Sequence, residues 1–111
     1  MRKSQNSKVK IVVFAPASKT AKIREVMGEA GAGRIGKYTF CSFSAKGIGR
    51  FKAVNGARPA IGKIGKLEEV LEERIEMVCE GEKLKKVLAA IKKAHPYEEP
   101  AIDVYPLEEI R

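Results

Sequence analysis

Residues 67–80, LEEVLEERIEMVCE, decide the fold of this chain, because their pattern fits two different elements. Apolar side chains recur at helical spacing, yet Ile75, Met77 and Cys79 also alternate with their neighbours as they would in a strand. A helix here would follow directly on another helix and remove a strand from the sheet. A strand instead gives each helix a sheet face to cover. We therefore predict a strand over residues 70–79, although periodicity alone slightly favours a helix.

The segments around this stretch predict the remaining elements. A β-branched run that ends at Pro16 is typical of a buried strand, and Ser18 is a suitable N-cap for a following helix. The predicted elements are a strand at 9–15, a helix at 18–30, a strand at 37–44, a loop at 45–66, a helix at 82–94 and a strand at 101–105. With the strand at 70–79, the order is β-α-β-β-α-β. This predicts an α+β, ferredoxin-like sandwich, in which a four-stranded antiparallel sheet carries two helices on one face.

The chain is short, and its charge is unevenly distributed. Its 111 residues suffice for one domain, which we place at residues 9–111 behind a flexible basic arm at residues 1–8. The formal net charge is +8, but residues 1–66 carry +13 and residues 67–111 carry −5. A domain of this size buries a limited share of its surface, so association would stabilise it. Opposite charges offer one way for two copies to meet.

Composition excludes several classes of protein. The longest apolar run, residues 11–15, is far too short to span a bilayer, and no apolar signal segment follows the basic start. Cys41 and Cys79 are the only cysteines and lie in apolar runs, which argues against a disulfide framework, a zinc spacing and a reactive thiol. His95 is the only histidine, so an active site with several histidines is excluded. We expect a reduced, cytoplasmic location.

Residues 31–36, GAGRIG, match the glycine spacing of a dinucleotide-binding turn. That turn requires a strand before it and a helix after it, so that the phosphates meet a helix N-terminus. In this chain a predicted helix precedes the glycines and a predicted strand follows them. We therefore favour a helix C-cap with a close backbone approach at the sheet edge.

The loop at 45–66 combines glycines with cations, which is typical of a segment that binds anions. Backbone amides freed by glycine and nearby Lys or Arg side chains can hold a phosphate. The residues that we predict to bind an anionic or phosphorylated ligand are Lys46, Gly47, Gly49, Arg50, Lys52 and Arg58. The alternatives are a solvated hairpin and a loop that packs on another subunit. Nucleic acid is a weaker candidate, because Phe51 alone offers a stacking surface among these cations.

Residues 95–100, HPYEEP, form a proline-bracketed turn between the second helix and the last strand. One imidazole and two carboxylates suit a metal or an acid–base pair, which makes His95, Glu98 and Glu99 the candidate metal ligands. A zinc site needs three or four protein ligands, so a cysteine or another subunit would have to contribute. The alternative is structural: a histidine favoured at a helix C-terminus, followed by a solvated turn.

Four blocks of the sequence together resemble the YqfO-like family, the small domain inserted in many bacterial Nif-three-like dinuclear-metal proteins. The blocks are GAGRIGKYTFCSF (31–43), GIGRFKAVNGARPAIGKIGKLEEV (47–70), ERIEMV (73–78) and HPYEEPAIDVY (95–105). The resemblance covers residues 9–107 and implies a CutA- or PII-like fold, often assembled as a trimer through strand edges, in a free-standing protein. The metal ligands of full-length relatives lie in flanking domains. Neither their dinuclear site nor their proposed hydrolase activity is therefore implied for this chain.

These observations lead to one functional expectation and two alternatives. We predict a non-enzymatic, cytoplasmic, trimeric module that binds a small anionic or phosphorylated ligand or has a regulatory role, with its loop and turn facing clefts between subunits. No catalytic residue is predicted. The first alternative is a protein that binds a divalent metal through His95 with Glu98 or Glu99. The second is a protein–protein interaction module.

Overall fold

The computed structural model describes residues 7–108 and residue 110. Within this part of the chain, four strands and two α-helices follow one another in the predicted order. They are β1 (Lys8–Pro16), α1 (Thr20–Glu29), β2 (Phe43–Lys52), β3 (Leu67–Glu80), α2 (Leu84–Ala94) and β4 (Ile102–Pro106). The sheet has the strand order β2-β3-β1-β4, and every pairing is antiparallel. The predicted fold class and the strand at residues 70–79 are confirmed.

β3 is a strand because its alternate residues meet different environments. Ile75, Met77 and Cys79 are buried, and each lies opposite a buried residue of β1. The helical spacing that Leu67 and Leu71 add to this segment is misleading. Both side chains are exposed, on the part of β3 that extends beyond β1. Alternating burial at the centre of β3 therefore outweighs the helical pattern of its ends.

The two helices cover one face of the sheet, which we call the helix face. The buried core between the layers comprises Val9, Ile11, Val13, Ala15, Ile23, Met27, Ala30, Ala32, Ile75, Met77, Cys79, Val87 and Ile91. Because successive strand residues point to opposite sides, Phe14 of β1 and Glu72, Arg74 and Glu76 of β3 lie on the other side, the open face. The site described below lies on the open face.

β2 and β3 form a hairpin that is longer than the rest of the sheet. β3 pairs with β1 over residues 72–80 and with β2 over residues 67–76. Residues 67–71 consequently have a neighbouring strand on one side only, and β2 lies at the edge of the sheet. The long connection between the two strands, residues 53–66, provides one wall of the cleft described below.

The predicted division between a strand at 37–44 and a loop at 45–66 is wrong. β2 starts at Phe43 and runs through two glycines to Lys52, so a strand lies where turns were predicted. Residues 37–42 instead belong to a loop, in which the Cys41 N–H donates to the Gly33 carbonyl at 2.8 Å. Ten consecutive residues of β2 pair with β3, and this pairing outweighs the local preference of glycine for turns.

The start of α1 also differs from the prediction. Ser18 lies in a short 3₁₀ turn, Ala17–Lys19, rather than at the N-cap. The N-cap is Lys19, whose side chain makes no capping hydrogen bond. The 3₁₀ turn lies between β1 and the helix, so the N-cap and the helix start one residue later than a cap at Ser18 implies.

The end of α1 is the glycine C-cap that the sequence predicts. Gly31 has a φ of 116°, in the range that favours glycine, and its N–H donates to the Gly28 carbonyl at 3.1 Å. The Ala32 N–H donates to the Met27 carbonyl at 3.0 Å, which completes a Schellman motif. No helix follows Gly36 before β2, so the glycine spacing of residues 31–36 does not form a dinucleotide-binding turn.

The predicted basic arm, residues 1–8, lies mostly outside the described residues. Ser7 and Lys8 are described, and they belong to the folded unit: the Gly81 N–H donates to the Ser7 carbonyl at 2.7 Å, and Lys8 is the first residue of β1.

In the described part of the chain, no helix is long and apolar enough to cross a membrane.

Candidate ligand-binding cleft

A cleft of about 460 Å³ lies on the open face, between the β2–β3 hairpin and the turn that follows α2. Phe14 and Glu72 lie at the sheet side of the cleft, most of residues 49–61 form one wall, and residues 97–99 form the other. The glycine-rich segment and the HPYEEP turn, which are distant in sequence, therefore meet at one site. The sequence singled out both segments, but it did not show that they touch.

Three aromatic side chains contribute to the walls of the cleft. Phe51 and Tyr97 meet edge to face across it, with ring centroids 6.1 Å apart and an angle of 61° between the ring planes. Phe14 adds a third ring from β1. The Arg74 guanidinium lies 5.5 Å from the centroid of this third ring, which supports its position. The cleft consequently offers several flat apolar surfaces in a small volume.

Tyr97 joins the turn to the sheet. Its hydroxyl donates to Oε2 of Glu72 at 2.9 Å. Burial, together with the hydrogen bond to Glu72 and the charge of that carboxylate, raises the pKa of Tyr97 well above its usual value. The side chain is therefore a neutral hydroxyl that donates a hydrogen bond to a carboxylate, and it is not available as a base.

Glycine at position 49 makes room for this carboxylate. A Cβ at Gly49 would overlap the Glu72 carboxylate, whereas a Cβ at Gly47 would meet nothing within 4 Å. Gly49 therefore belongs to the structure of the cleft, and Gly47 is placed beside a smaller neighbouring depression. Of the predicted ligand-binding residues, Arg58 takes part through its backbone: its N–H donates to Oε1 of Glu98 at 2.8 Å.

His95 holds the turn in place from below the cleft. It is 7% exposed, its Nε2 lies 2.7 Å from the Phe14 carbonyl oxygen, and the Tyr97 N–H donates to its Nδ1 at 3.1 Å. Since Nδ1 accepts a hydrogen bond, the proton of the neutral ring is on Nε2, which donates to Phe14. Both ring nitrogens are thus used within the fold.

The three predicted metal ligands do not converge in this structure. Both nitrogens of His95 are hydrogen-bonded, Glu98 accepts from the Arg58 N–H, and Glu99 lies at the cleft wall. Within residues 7–108, no three histidine, cysteine or acidic side chains are grouped closely enough to hold a metal ion. The metal site stays a prediction, and the geometry supports the structural alternative for His95.

The predicted cations of β2 leave the sheet on the helix face. Lys46, Arg50 and Lys52 alternate with Phe51 and the glycines, so their side chains point away from the cleft, although Arg50 and Lys52 border it. The Arg50 Nε donates to Oε2 of Glu69 at 2.9 Å, which shows the direction of this side chain. The anion site therefore also stays a prediction, with its cations at the edge of the cleft rather than inside it.

Sequence analysis did not single out Phe14, Glu72 or Tyr97 as site residues. Phe14 belongs to a run that indicates a buried strand, and Glu72 belongs to the segment whose element was in question. Strand alternation is the signal that would have helped, because it places Gly49 and Phe51 on one side of β2 and the neighbouring cations Arg50 and Lys52 on the other. Tyr97 could have been found as the aromatic residue inside the HPYEEP turn.

Comparison with known proteins finds similar sequences that are much longer than this chain. No family model matches the sequence. It is 56% identical over 99 residues to a "GTP cyclohydrolase 1 type 2 homolog" of Halalkalibacterium halodurans, and 47% identical over 100 residues to the Bacillus subtilis protein of that name. These matches cover 88% and 90% of this chain but 26% and 27% of the relatives. The chain thus spans about a quarter of the length of these relatives.

Solved structures support the fold. A Bacillus cereus protein related to NIF3 superposes with a TM-score of 0.82 at 42% identity, over 94% of this chain and 26% of that one. The periplasmic divalent cation tolerance protein CutA from Archaeoglobus fulgidus superposes with a TM-score of 0.69 at 21% identity, over 94% and 87% of the two chains. At this identity the CutA likeness concerns the fold alone. The CutA/PII-like architecture is confirmed, and the similarity to a NIF3-related protein agrees with the resemblance found in the sequence.

Proposed function

We propose that this chain is a non-enzymatic module that binds a small molecule in the cleft and acts as an oligomer in a regulatory role. The observation that carries this proposal is the cleft itself. Two distant segments of the chain close around it, and two hydrogen bonds, Tyr97 to Glu72 and Arg58 to Glu98, hold them together. A cleft of about 460 Å³ with aromatic walls and few polar groups has the form of a small-molecule site.

The charge of the chain supports an anionic or phosphorylated ligand as the first class to test. The net charge is +8, and cations are concentrated in the first 66 residues. Such a surface attracts anions and speeds their encounter with the protein. Arg50 and Lys52 border the cleft, so a phosphate group would lie near its edge while the rest of the ligand enters it.

The side chains of the cleft support binding rather than catalysis. Both nitrogens of His95 are hydrogen-bonded within the fold, and the raised pKa of Tyr97 disfavours loss of its proton. The relatives are named homologues of a GTP cyclohydrolase, but they are about four times longer than the matched segment. For the segment that this chain shares with them, we propose ligand binding without a reaction.

A thermal-shift screen of nucleotides and phosphorylated metabolites tests the proposal. We expect at least one compound to raise the Tm of the full chain by several degrees at saturation. Phe51→Ala removes an aromatic wall and should lower the affinity for that compound by about tenfold or more. Arg50→Ala and Lys52→Ala should lower the affinity for a phosphorylated compound whose phosphate lies near the edge of the cleft.

Lys85→Ala is the control for this screen. Lys85 is exposed on α2 and does not line the cleft, so this variant, which loses a cation as Arg50→Ala and Lys52→Ala do, should bind as the wild type does. A screen without any hit, or a hit that Phe51→Ala leaves unchanged, contradicts the proposed site. If binding of a hit depends on Phe51 but not on Arg50 and Lys52, the cleft is supported as the binding site and the proposed phosphate contact is wrong.

The β2–β3 hairpin supports self-association. Four large apolar side chains on it are exposed: Phe43 (65%), Ile48 (55%), Leu67 (63%) and Leu71 (60%). Ile48 and Leu71 lie directly opposite each other, on the part of the hairpin that extends beyond β1. Ile48, Leu67 and Leu71 lie on the helix face of the hairpin and Phe43 on the open face, and covering the first three with a second copy would remove apolar surface from water. The trimer implied by the family resemblance is the assembly that we propose.

A further inference from the structure

We infer that the part of the ligand held inside the cleft is a planar nitrogen heterocycle whose edge carries N–H donors, as an aminopurine base does. This inference rests on the proposed function, because it specifies what the same cleft binds. Its basis is the combination of three aromatic rings with three carboxylates, Glu72, Glu98 and Glu99, whose oxygens accept hydrogen bonds.

The walls favour a flat ring over a flexible or branched molecule. Phe14, Phe51 and Tyr97 present aromatic surfaces from three different segments, and Val54 and Ile61 add aliphatic contacts from the connection. Aromatic groups prefer offset-stacked or edge-to-face contacts, which a planar heterocycle can make with more than one of these rings. A sugar or an aliphatic chain would fill the same volume without these contacts.

The carboxylates of the cleft, Glu72, Glu98 and Glu99, accept hydrogen bonds. Glu72 accepts one from the Tyr97 hydroxyl, and Glu98 accepts one from the Arg58 N–H. An ionised carboxylate has about four acceptor positions, so both retain capacity. Glu99 has no hydrogen bond or ion pair to any residue in the described range 7–108. Glu98 and Glu99 are exposed and therefore hydrated, and a ligand edge with two or more N–H groups would replace the water that donates to these oxygens.

The same carboxylates disfavour a phosphate inside the cleft. Three acidic side chains border it, and the nearest cations of β2 point to the helix face, as the contact between Arg50 and Glu69 shows. A buried phosphate would face like charges without a paired cation. A phosphorylated ligand would therefore place its ring inside and its phosphate at the edge. The volume of about 460 Å³ is sufficient for a two-ring base.

Titration calorimetry on the full chain with 2,6-diaminopurine, purine and ribose 5-phosphate tests the inference. The first two compounds share a ring system but differ in their amino donors, and the third has a phosphate without a heterocycle. We expect 2,6-diaminopurine to bind at least tenfold more tightly than purine, because its amino groups meet charged acceptors. Glu99→Gln should reduce this preference severalfold, and Phe51→Ala should lower the affinity for both purines.

Glu82→Gln is the control, since Glu82 is exposed in the 3₁₀ turn that precedes α2, away from the cleft, and its replacement makes the same change of charge. Equal affinity for the two purines, or a preference that Glu99→Gln leaves intact, overturns the inference. A third outcome separates the two proposals. If ribose 5-phosphate binds and depends on Phe51 while neither purine binds, the inference is wrong but the proposed function is supported. If no purine, sugar phosphate or compound of the wider screen binds, both are wrong.

Discussion

At the scale of single residues, His95 decides between a structural and a metal-binding role for the turn after α2. His95→Ala removes the donor to the Phe14 carbonyl and the acceptor for the Tyr97 N–H. We expect the free energy of unfolding to fall by about 1–3 kcal/mol, because a buried backbone acceptor is left unpaired. The metal content of protein purified without a tag should be unchanged. Urea unfolding and elemental analysis measure the two effects.

Lys93→Ala provides the comparison for His95, since Lys93 is exposed near the end of the same helix. This variant should change stability by less than about 0.5 kcal/mol. A wild-type protein that contains about one metal ion per chain and loses it in His95→Ala would show that the imidazole is a ligand after all. The structural interpretation of the turn would then be wrong.

At the scale of the elements, a charged group ties β3 to β1 on the open face. Glu76 accepts hydrogen bonds from Arg74 at 2.9 Å and from Lys10 of β1 at 3.2 Å. The guanidinium of Arg74 and the ammonium of Lys10 lower the pKa of Glu76. The folded state therefore binds this proton less readily than the unfolded state does. The contribution of Glu76 to stability is present at neutral pH and is lost as the pH falls through its lowered pKa.

Replacing this carboxylate should make stability less dependent on pH in the acid range. Between pH 6 and pH 3, we expect Glu76→Gln to show a smaller decrease in the free energy of unfolding than the wild type shows. Denaturant unfolding at several pH values measures the slope, with Glu82→Gln as the control of equal charge. Identical slopes for Glu76→Gln and the wild type would mean that the ion pairs across β1 and β3 add nothing to folding.

At the scale of the whole molecule, the exposed hairpin predicts an oligomer. Light scattering after size exclusion should give about three times the 12.2 kDa mass of the chain. Leu71→Asp or Ile48→Asp should shift this mass toward the monomer, because each places a charge in the apolar surface that association would cover. Ile64→Asp, a similar change in the connection between β2 and β3, should retain the assembly. A monomeric wild type at micromolar concentration contradicts the prediction.

At β3 the periodicity was ambiguous, and the strand followed from the need of each helix for a sheet face. Elsewhere the order of the elements was predictable because alternation and helical periodicity report which side of an element is buried. The position of β2 was not. Its glycines indicate turns when they are considered locally, and only pairing with β3 makes residues 45–52 extended. The Ser18 cap failed for a different reason: a short 3₁₀ turn between β1 and α1 displaces the helix start. Pairing with a neighbouring strand overrides the local preference in β2, whereas the start of α1 is set by the geometry of the 3₁₀ turn before it.

The sequence by itself determined the fold class, the glycine C-cap of α1 and the two segments that form the cleft. These depend on local patterns of apolar, glycine and proline residues. The tertiary structure alone decided which side chains face the cleft. A shift of one position along a strand reverses the direction of a side chain, so register places Gly49 and Phe51 in the site and directs Lys46, Arg50 and Lys52 away from it.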